Sequence, residues 1–460
     1  MGIGTTGQDF LSIPMNVPRQ SDTESDTLPQ NTQRAWIVTV NMGYGHQRAA
    51  YPLRHIAYKR VIAANADQMV NPEERKRWLR LQAFYESISR ICDIPLIGPV
   101  LWSWYDRFQR IASLYPFRDQ SKPTFGVWYL DRMLKKGFGM SVIENARKLD
   151  IPIVSTFFVP PIAASFAGLK KVFSIVTDVD INRIWVARNP RKSPITYLAP
   201  SYEAKMRLLQ YGVPPEKIVV TGFPLPQENL DNLQIDLNSR LGRLDPMSVF
   251  LQRYGHTVLN IIGAPIQTVD PVTITYAVGG AGAQKGVAEH ILRSLAKDIR
   301  DGIYRVNLIA GTRAEVKTFF EAIIKKLDLQ ATLGMGIRIQ YAPDIQVYFK
   351  EFNTILRRTD ILWTKPSELV FYAGLGLPLI MTKPLGAHEE SNRDWIRNMG
   401  AGYPMEDPRY TREWLRHWID TGMLAEAAFD AFTKAPRYGT ENVKRVIFAD
   451  DPTQVQLKGM

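Results

Sequence analysis

Twice along this chain of 460 residues a short β-rich apolar run leads into a glycine-rich turn and then a helical stretch, and each time the alternation continues. The first block opens at Ala35-Trp36-Ile37-Val38-Thr39-Val40, turns at Gly43-Tyr44-Gly45-His46 and continues as a helix. A strand that hands the chain to a helix must find its next strand in parallel, with helices covering both faces of the sheet. Further strands are expected at Ile153–Phe158, Val172–Val176, Ile195–Leu198 and Ile218–Thr221, with a helix at Tyr202–Tyr211 stopped by Gly212. The second block runs from Ile274–Val278 through Val306–Ala310, Ile337–Gln340, Ile361–Trp363 and Leu379–Met381. Two such blocks predict an α/β chain of two Rossmann-like domains facing a cleft.

The expected boundaries are a disordered polar tail over 1–33, a first domain over 34–225, a linker over 226–270, a second domain over 271–450 and a tail over 451–460. Residues 70–136 break the alternation. Leu81, Phe84, Tyr85, Ile88, Leu101, Trp104, Tyr105 and Phe108 fall at helical spacing among Arg75, Arg77, Arg80, Arg90, Arg107 and Arg110. They predict a helical insertion in the first domain, aromatic on one side and basic on the other. Its aromatics could dock on a membrane or pack as ordinary core.

The formal net charge of +12 and pI near 9.5 favour anionic partners. The basic residues interleave with aromatics rather than forming a reader motif, so nucleic acid is not expected. The single cysteine, Cys92, excludes an internal disulfide and a multi-cysteine metal site. No stretch reaches the roughly 18–20 apolar residues of a spanning helix, and the N-terminus has no signal pattern. Met1-Gly2 with Thr6 fits the letters of a myristoylation site and is read as a chance match. A cytoplasmic protein, peripheral on the inner membrane face, is the expected location.

Five motifs fall where strands end. In the first, Gly43 and Gly45 let backbone approach a ligand, and His46 could take a proton or bond a phosphate. In the second, Thr177-Asp178-Val179-Asp180, either carboxylate could serve as a base, or Asp178 could simply cap a turn. The third, Gly279-Gly280-Ala281-Gly282-Ala283, could hold a diphosphate on backbone amides or be a plain tight turn. In the fourth, Lys365 could reach phosphate and Glu368 could accept two sugar hydroxyls, or Glu368 could merely favour the helix dipole. The fifth, Gly386-Ala387-His388-Glu389-Glu390-Ser391-Asn392, offers polar groups at a helix start.

In their shared order these motifs resemble the monogalactosyldiacylglycerol synthase and processive diacylglycerol glucosyltransferase family, over about residues 35–450. The matching stretches are Gly43-Tyr44-Gly45-His46; Thr177-Asp178 with Trp185; Gly212-Val213-Pro214, Lys217-Ile218 and Thr221-Gly222-Phe223-Pro224; and Lys365-Pro366, Gly376-Leu377-Pro378, His388-Glu389 and Asn392. The resemblance implies the GT-B fold, with an acceptor domain first and a nucleotide-sugar domain second. It implies an inverting, metal-independent hexosyltransferase with a nucleotide diphosphate sugar as co-substrate, no further cofactor, and a lipid or lipid-linked acceptor. It also implies membrane docking by the insertion.

On that basis His46, Asp178 and Asp180 are the candidate catalytic groups. Gly279, Gly280, Gly282, Lys365, Glu368, His388, Glu389 and Asn392 are the donor side, and Gly43, Gly45, Asn182 and Trp185 the acceptor side. Three departures stand out. Asn182 replaces a family histidine, the Gly-Gly after Lys-Pro is absent, and His388 replaces a glutamine. Counting back from Gly376 puts Phe371 at the family's ribose-binding glutamate, with Glu368 one turn earlier as its candidate substitute. A silent protein that binds nucleotide sugar or lipid, and a sugar-nucleotide epimerase, are the two alternatives.

Overall fold

A computed structural model describes residues 33–80, 111–263, 271–279, 282 and 284–459. Residues 1–32 of the expected tail over 1–33, the insertion's centre over 81–110, and Gly280 lie outside the described residues. The first sheet contains β1 (Trp36–Thr39), β2 (Ile62–Ala63), β3 (Ile153–Ser155), β4 (Val172–Ile175), β5 (Ile195–Ala199) and β6 (Ile218–Val220), in the order β2-β1-β3-β4-β5-β6. The second contains β7 (Val272–Ala277), β8 (Tyr304–Gly311), β9 (Ile337–Tyr341), β10 (Ile361–Thr364), β11 (Leu379–Met381) and β12 (Gly402–Pro404), in the order β12-β11-β10-β7-β8-β9. Every pairing in both is parallel.

Parallel sheets are covered on both faces, so their strands read as unbroken apolar runs. β1 shows why: Trp36 and Val38 enter one core while Ile37 enters the other. Each sheet has one point where the strand order reverses, between β1 and β3 in the first and between β7 and β10 in the second. Ligands of open α/β sheets bind beyond the carboxyl ends of the strands flanking such a point.

The stretch read as a linker departs from expectation. Its residues form the helices Leu233–Leu244 and Val249–Ile262. Leu233, Leu237, Leu241, Leu244, Phe250, Val258 and Ile262 join the second core. Arg240 on the same buried face hides the periodicity; it is satisfied by the carbonyls of Thr359, Leu375 and Gly376. The far end also differs. In the helix Gly439–Ile447, Val443, Val446 and Ile447 pack beneath the first sheet, and Val455 and Leu457 follow them. The last segment of the expected second domain therefore belongs to the core of the first.

Within the insertion, residues 72–80 are helical. Trp78 is fully buried against Phe138 and Phe157. Tyr115, Phe117, Trp128 and Tyr129 are instead exposed by 67%, 54%, 44% and 50%. The aromatics thus divide between core and surface.

Candidate functional site

The loops at the carboxyl ends of the two sheets meet. Tyr44, after β1, reaches across to Thr312, after β8: its hydroxyl lies 2.9 Å from Thr312 Oγ1 and accepts the Thr312 N–H at 2.9 Å. Gly311 has φ +65, and a Cβ there would stand 2.5 Å from that hydroxyl, so this approach needs glycine.

His46 sits in the helix Tyr44–Ala50, which follows Gly43 at φ +86. Its Nδ1 is 2.7 Å from the carbonyl of Thr156, at the end of β3, and 3.3 Å from Thr177 Oγ1, at the end of β4. A carbonyl only accepts, so Nδ1 carries the proton and Nε2 keeps its lone pair. Nε2 makes no hydrogen bond among the described residues. The ring packs edge-on to Phe157 at 4.9 Å and lies 6.2 Å from Trp185. Burial lowers its pKa below the usual histidine value, while Asp178, the Thr156 carbonyl and Glu368 oppose that shift. The result is a neutral imidazole beside carboxylates that would welcome its protonated form.

The other first-domain candidates separate sharply. Asp178 is half-buried and receives Asn392 Nδ2 at 3.2 Å. Asp180 is a correction: Arg207 grips it at 2.7 and 2.8 Å and the Ile181 N–H at 2.8 Å, a buried ion pair with no free oxygen facing a ligand. Asn182 is likewise a cap, accepting the Ile184 N–H at 3.1 Å to start the short turn Arg183–Trp185.

On the second side three loops converge at the reversal between β7 and β10. A Cβ on Gly279 would lie 2.5 Å from Lys365 Cε, so the lysine stem crosses bare backbone. Lys365 Nζ donates to Glu389 Oε1 at 2.5 Å, and Glu389 Oε2 accepts the Leu385 N–H at 2.8 Å. Burial pushes the Glu389 carboxyl up, but Lys365, His388 and the Leu385 amide outweigh it and hold it below the usual range. Gly282, at φ +70, shapes the glycine loop. Gln284 ties that loop to the end of β11 by donating to the Lys383 carbonyl at 2.9 Å.

Asn392, placed on the donor side from the sequence, is taken up by the protein itself. Fully buried, it accepts the Val179 N–H at 2.9 Å and donates to Asp178 and to the Pro366 carbonyl, each at 3.2 Å. It is a bridge between the halves, with its amide spent on protein. Phe371 is buried and stacks on Phe223 at 4.6 Å, so that position offers a ligand nothing. Glu368 instead faces the first domain, where it pairs with Arg48 at 3.3 Å. His388 is half-exposed at the start of the helix Ala387–Met399. Arg48, Tyr44 and Thr312 were not singled out from the sequence; a buried arginine two residues after the histidine carries no motif of its own. Among the described residues no cluster of three or more His, Cys, Asp or Glu could hold a metal.

Two Rossmann-like halves whose reversal points face each other across a cleft define the GT-B architecture. The chain is 23% identical over 377 residues to the processive diacylglycerol beta-glucosyltransferase of Bacillus subtilis (strain 168), covering 80% of this chain and 82% of that one. It is 22% identical over 327 residues to the enzyme of the same name from Staphylococcus aureus (strain Newman), covering 68% and 70%. The likeness read from the motifs is thus borne out, at the distance of a divergent member. A family model described as Domain of unknown function (DUF6938) matches residues 314–415. Among solved structures, that of Acinetobacter baumannii MurG matches with a TM-score of 0.47 at 13% identity, covering 90% of this chain and 99% of that chain.

Proposed function

We propose that this chain is an inverting glycosyltransferase that moves a hexose or N-acetylhexosamine from a UDP-sugar to a lipid or lipid-linked acceptor without a metal ion. The observation that carries this reading is His46: a neutral imidazole fixed through Nδ1, with Nε2 unbonded among the described residues, at the reversal point of the first sheet and next to Gly45, which abuts Glu368 of the second half.

The chemistry follows from the groups. Nε2 takes the proton of the acceptor hydroxyl as its oxygen attacks the anomeric carbon. The bond from that carbon to the diphosphate oxygen breaks, and a single displacement inverts the configuration. Asp178 and Glu368 favour the imidazolium that forms. The leaving diphosphate draws on Lys365 and on amides of the glycine loop. Lys365 is paired with Glu389 in the free protein, so an arriving diphosphate competes for it.

Exposed Tyr115, Phe117, Trp128 and Tyr129 lie in the same half as the proposed acceptor site. An open groove of 690 Å³ beside Phe117 is lined by Arg118, Arg188 and Arg191. Such aromatics sit at a bilayer interface while arginines attract anionic headgroups, which supports peripheral docking on an anionic membrane. No described helix is long and apolar enough to cross one.

Thermal unfolding with UDP, GDP, ADP and their sugars tests the donor, because a ligand stabilises the state it binds. Transfer from the best donor to diacylglycerol in vesicles tests the reaction. Failure of every nucleoside diphosphate at millimolar concentration refutes the proposal. Binding without transfer or hydrolysis, as Asn182 and the missing Gly-Gly after Lys365-Pro366 would favour, points to the silent protein. Conversion of donor alone, with no lipid present, points to the epimerase.

A further inference from the structure

His46 is seated on three buried threonines, each at or just past the carboxyl end of a neighbouring strand: Thr39 on β1, Thr156 after β3 and Thr177 after β4. Thr156 is the central one. Its N–H donates to the Val38 carbonyl at 3.1 Å, which holds it beside β1. Its carbonyl lies 2.7 Å from His46 Nδ1. Its Oγ1 lies 2.9 Å from the backbone carbonyl of His46 and 3.0 Å from Thr39 Oγ1.

These distances fix where the protons are. A hydroxyl has one hydrogen, and a carbonyl only accepts. The Thr156 hydroxyl therefore donates to the His46 carbonyl, and the Thr39 hydroxyl donates to Thr156 Oγ1. In return, the His46 ring donates its Nδ1–H to the Thr156 carbonyl. Residues 46 and 156 thus grip each other twice, once at the ring and once at the backbone. Thr177 Oγ1, 3.3 Å from Nδ1, adds a longer second acceptor. The opposite tautomer would set a bare Nδ1 lone pair against the Thr156 carbonyl at 2.7 Å, beside a residue with no exposed surface.

We infer that Thr156 is a positioning residue for His46: it holds the imidazole in the Nδ1–H tautomer and so keeps Nε2 free for the acceptor hydroxyl. What Nε2 does there rests on the transferase reading above. Nδ1 carries a hydrogen in the imidazole and in the imidazolium alike. The grip therefore survives proton transfer, and the ring need not turn between taking a proton and giving it up. Valine would fill nearly the same space without the hydroxyl, whereas serine would keep the hydroxyl and lose only a methyl group.

Nitrogen-15 spectra of the full chain labelled in histidine test this, with His46 assigned as the signal that His46→Gln removes. At about pH 8, above the ordinary histidine pKa, wild type should show a protonated Nδ1 and a bare Nε2. Thr156→Val should let the Nε2–H tautomer appear and should lower kcat about tenfold, the scale of one buried hydrogen bond, with the donor KM unchanged. Thr156→Ser should restore both. Thr177→Val, which removes only the longer bond, should keep the Nδ1–H tautomer. A merely structural threonine would lower the melting temperature in Thr156→Val and leave the tautomer as it was. That result overturns the inference while leaving the transferase reading in place. If Thr156→Val does not fold, the wild-type spectrum is the test: a proton on Nε2 overturns the inference, together with His46 as the base. Wild type that shows the Nδ1–H tautomer but transfers no sugar overturns the transferase reading and the role given to Nε2.

Discussion

Replacing Asn392 with alanine should weaken the whole closed arrangement, and the size of the effect can be worked from three bonds. Asn392 is fully buried and holds the Val179 N–H, Asp178 and the Pro366 carbonyl. Asp178 is half-open, so water can replace the amide there. The Val179 amide and the Pro366 carbonyl have no such replacement. Each buried backbone group left unpaired costs about 1–3 kcal/mol, giving a loss of roughly 2–6 kcal/mol. Urea unfolding followed by tryptophan fluorescence measures it, with Trp395 one turn along the same helix as a local reporter. Asn392→Asp should lose at least as much near neutral pH, because it sets a second carboxylate against Asp178 and the Pro366 carbonyl. A loss under about 1 kcal/mol for Asn392→Ala would mean that these bonds are not made in the free protein. The account of how the halves are joined would then be wrong.

Further outcomes are expected at three places in the molecule. His46→Gln should lower kcat by about 10²–10⁴-fold with donor Kd nearly unchanged. The acid limb of kcat/KM in the wild type should fall below the ordinary histidine pKa of about 6.5, since burial lowers that of His46. The same shift makes the unfolded chain bind the extra proton first, so its contribution to stability is intact above about pH 6.5 and is lost as pH falls below it. A limb above pH 7 counts against His46 as the base. Gly279→Ala must displace the Lys365 stem and should weaken UDP binding by about tenfold or more, the scale of a charge-assisted contact; titration that finds equal affinity removes Lys365 from the site. Replacing Trp128 and Tyr129 with serine should reduce sedimentation with anionic vesicles while leaving the melting temperature within a few degrees, as both are exposed, by 44% and 50%. Unchanged sedimentation places the docking surface elsewhere.

Fully buried strands were the most legible part of the sequence. Ile361–Trp363 and Leu379–Met381 fall on β10 and β11 almost residue for residue, because a parallel strand buried on both faces is a short apolar run between polar turns. β2 and β12 are as short or shorter but only partly buried, so they carry no such run, and neither was expected. The helix Leu233–Leu244 was hidden by charge on its buried side, where Arg240 finds three carbonyls that lie more than a hundred positions away, and Val249–Ile262 buries only Phe250, Val258 and Ile262, too few to mark a face. At the site, the loops could be placed because they follow strands, but what each side chain touches could not. Asp178 and Asp180 look equivalent in sequence. Only the fold puts Arg207 on Asp180 and leaves Asp178 facing the cleft with Asn392. Asn392 likewise reads as a donor-side group until Val179 and Pro366 are seen to use its amide from both sides.

The return of the helix Gly439–Ile447 to the underside of the first sheet has a mechanical consequence. The polypeptide crosses between the halves twice, once after β6 and once before Gly439, and Asn442 pins the second crossing by donating to the Thr221 carbonyl at the end of β6, 3.0 Å away. Two adjacent straps constrain as a door hinge does and not as a string: a swing of one half would bend both straps, whereas a twist against the other half would have to stretch one. Any opening of the cleft would therefore return the loops after β1 and β10 to the same register.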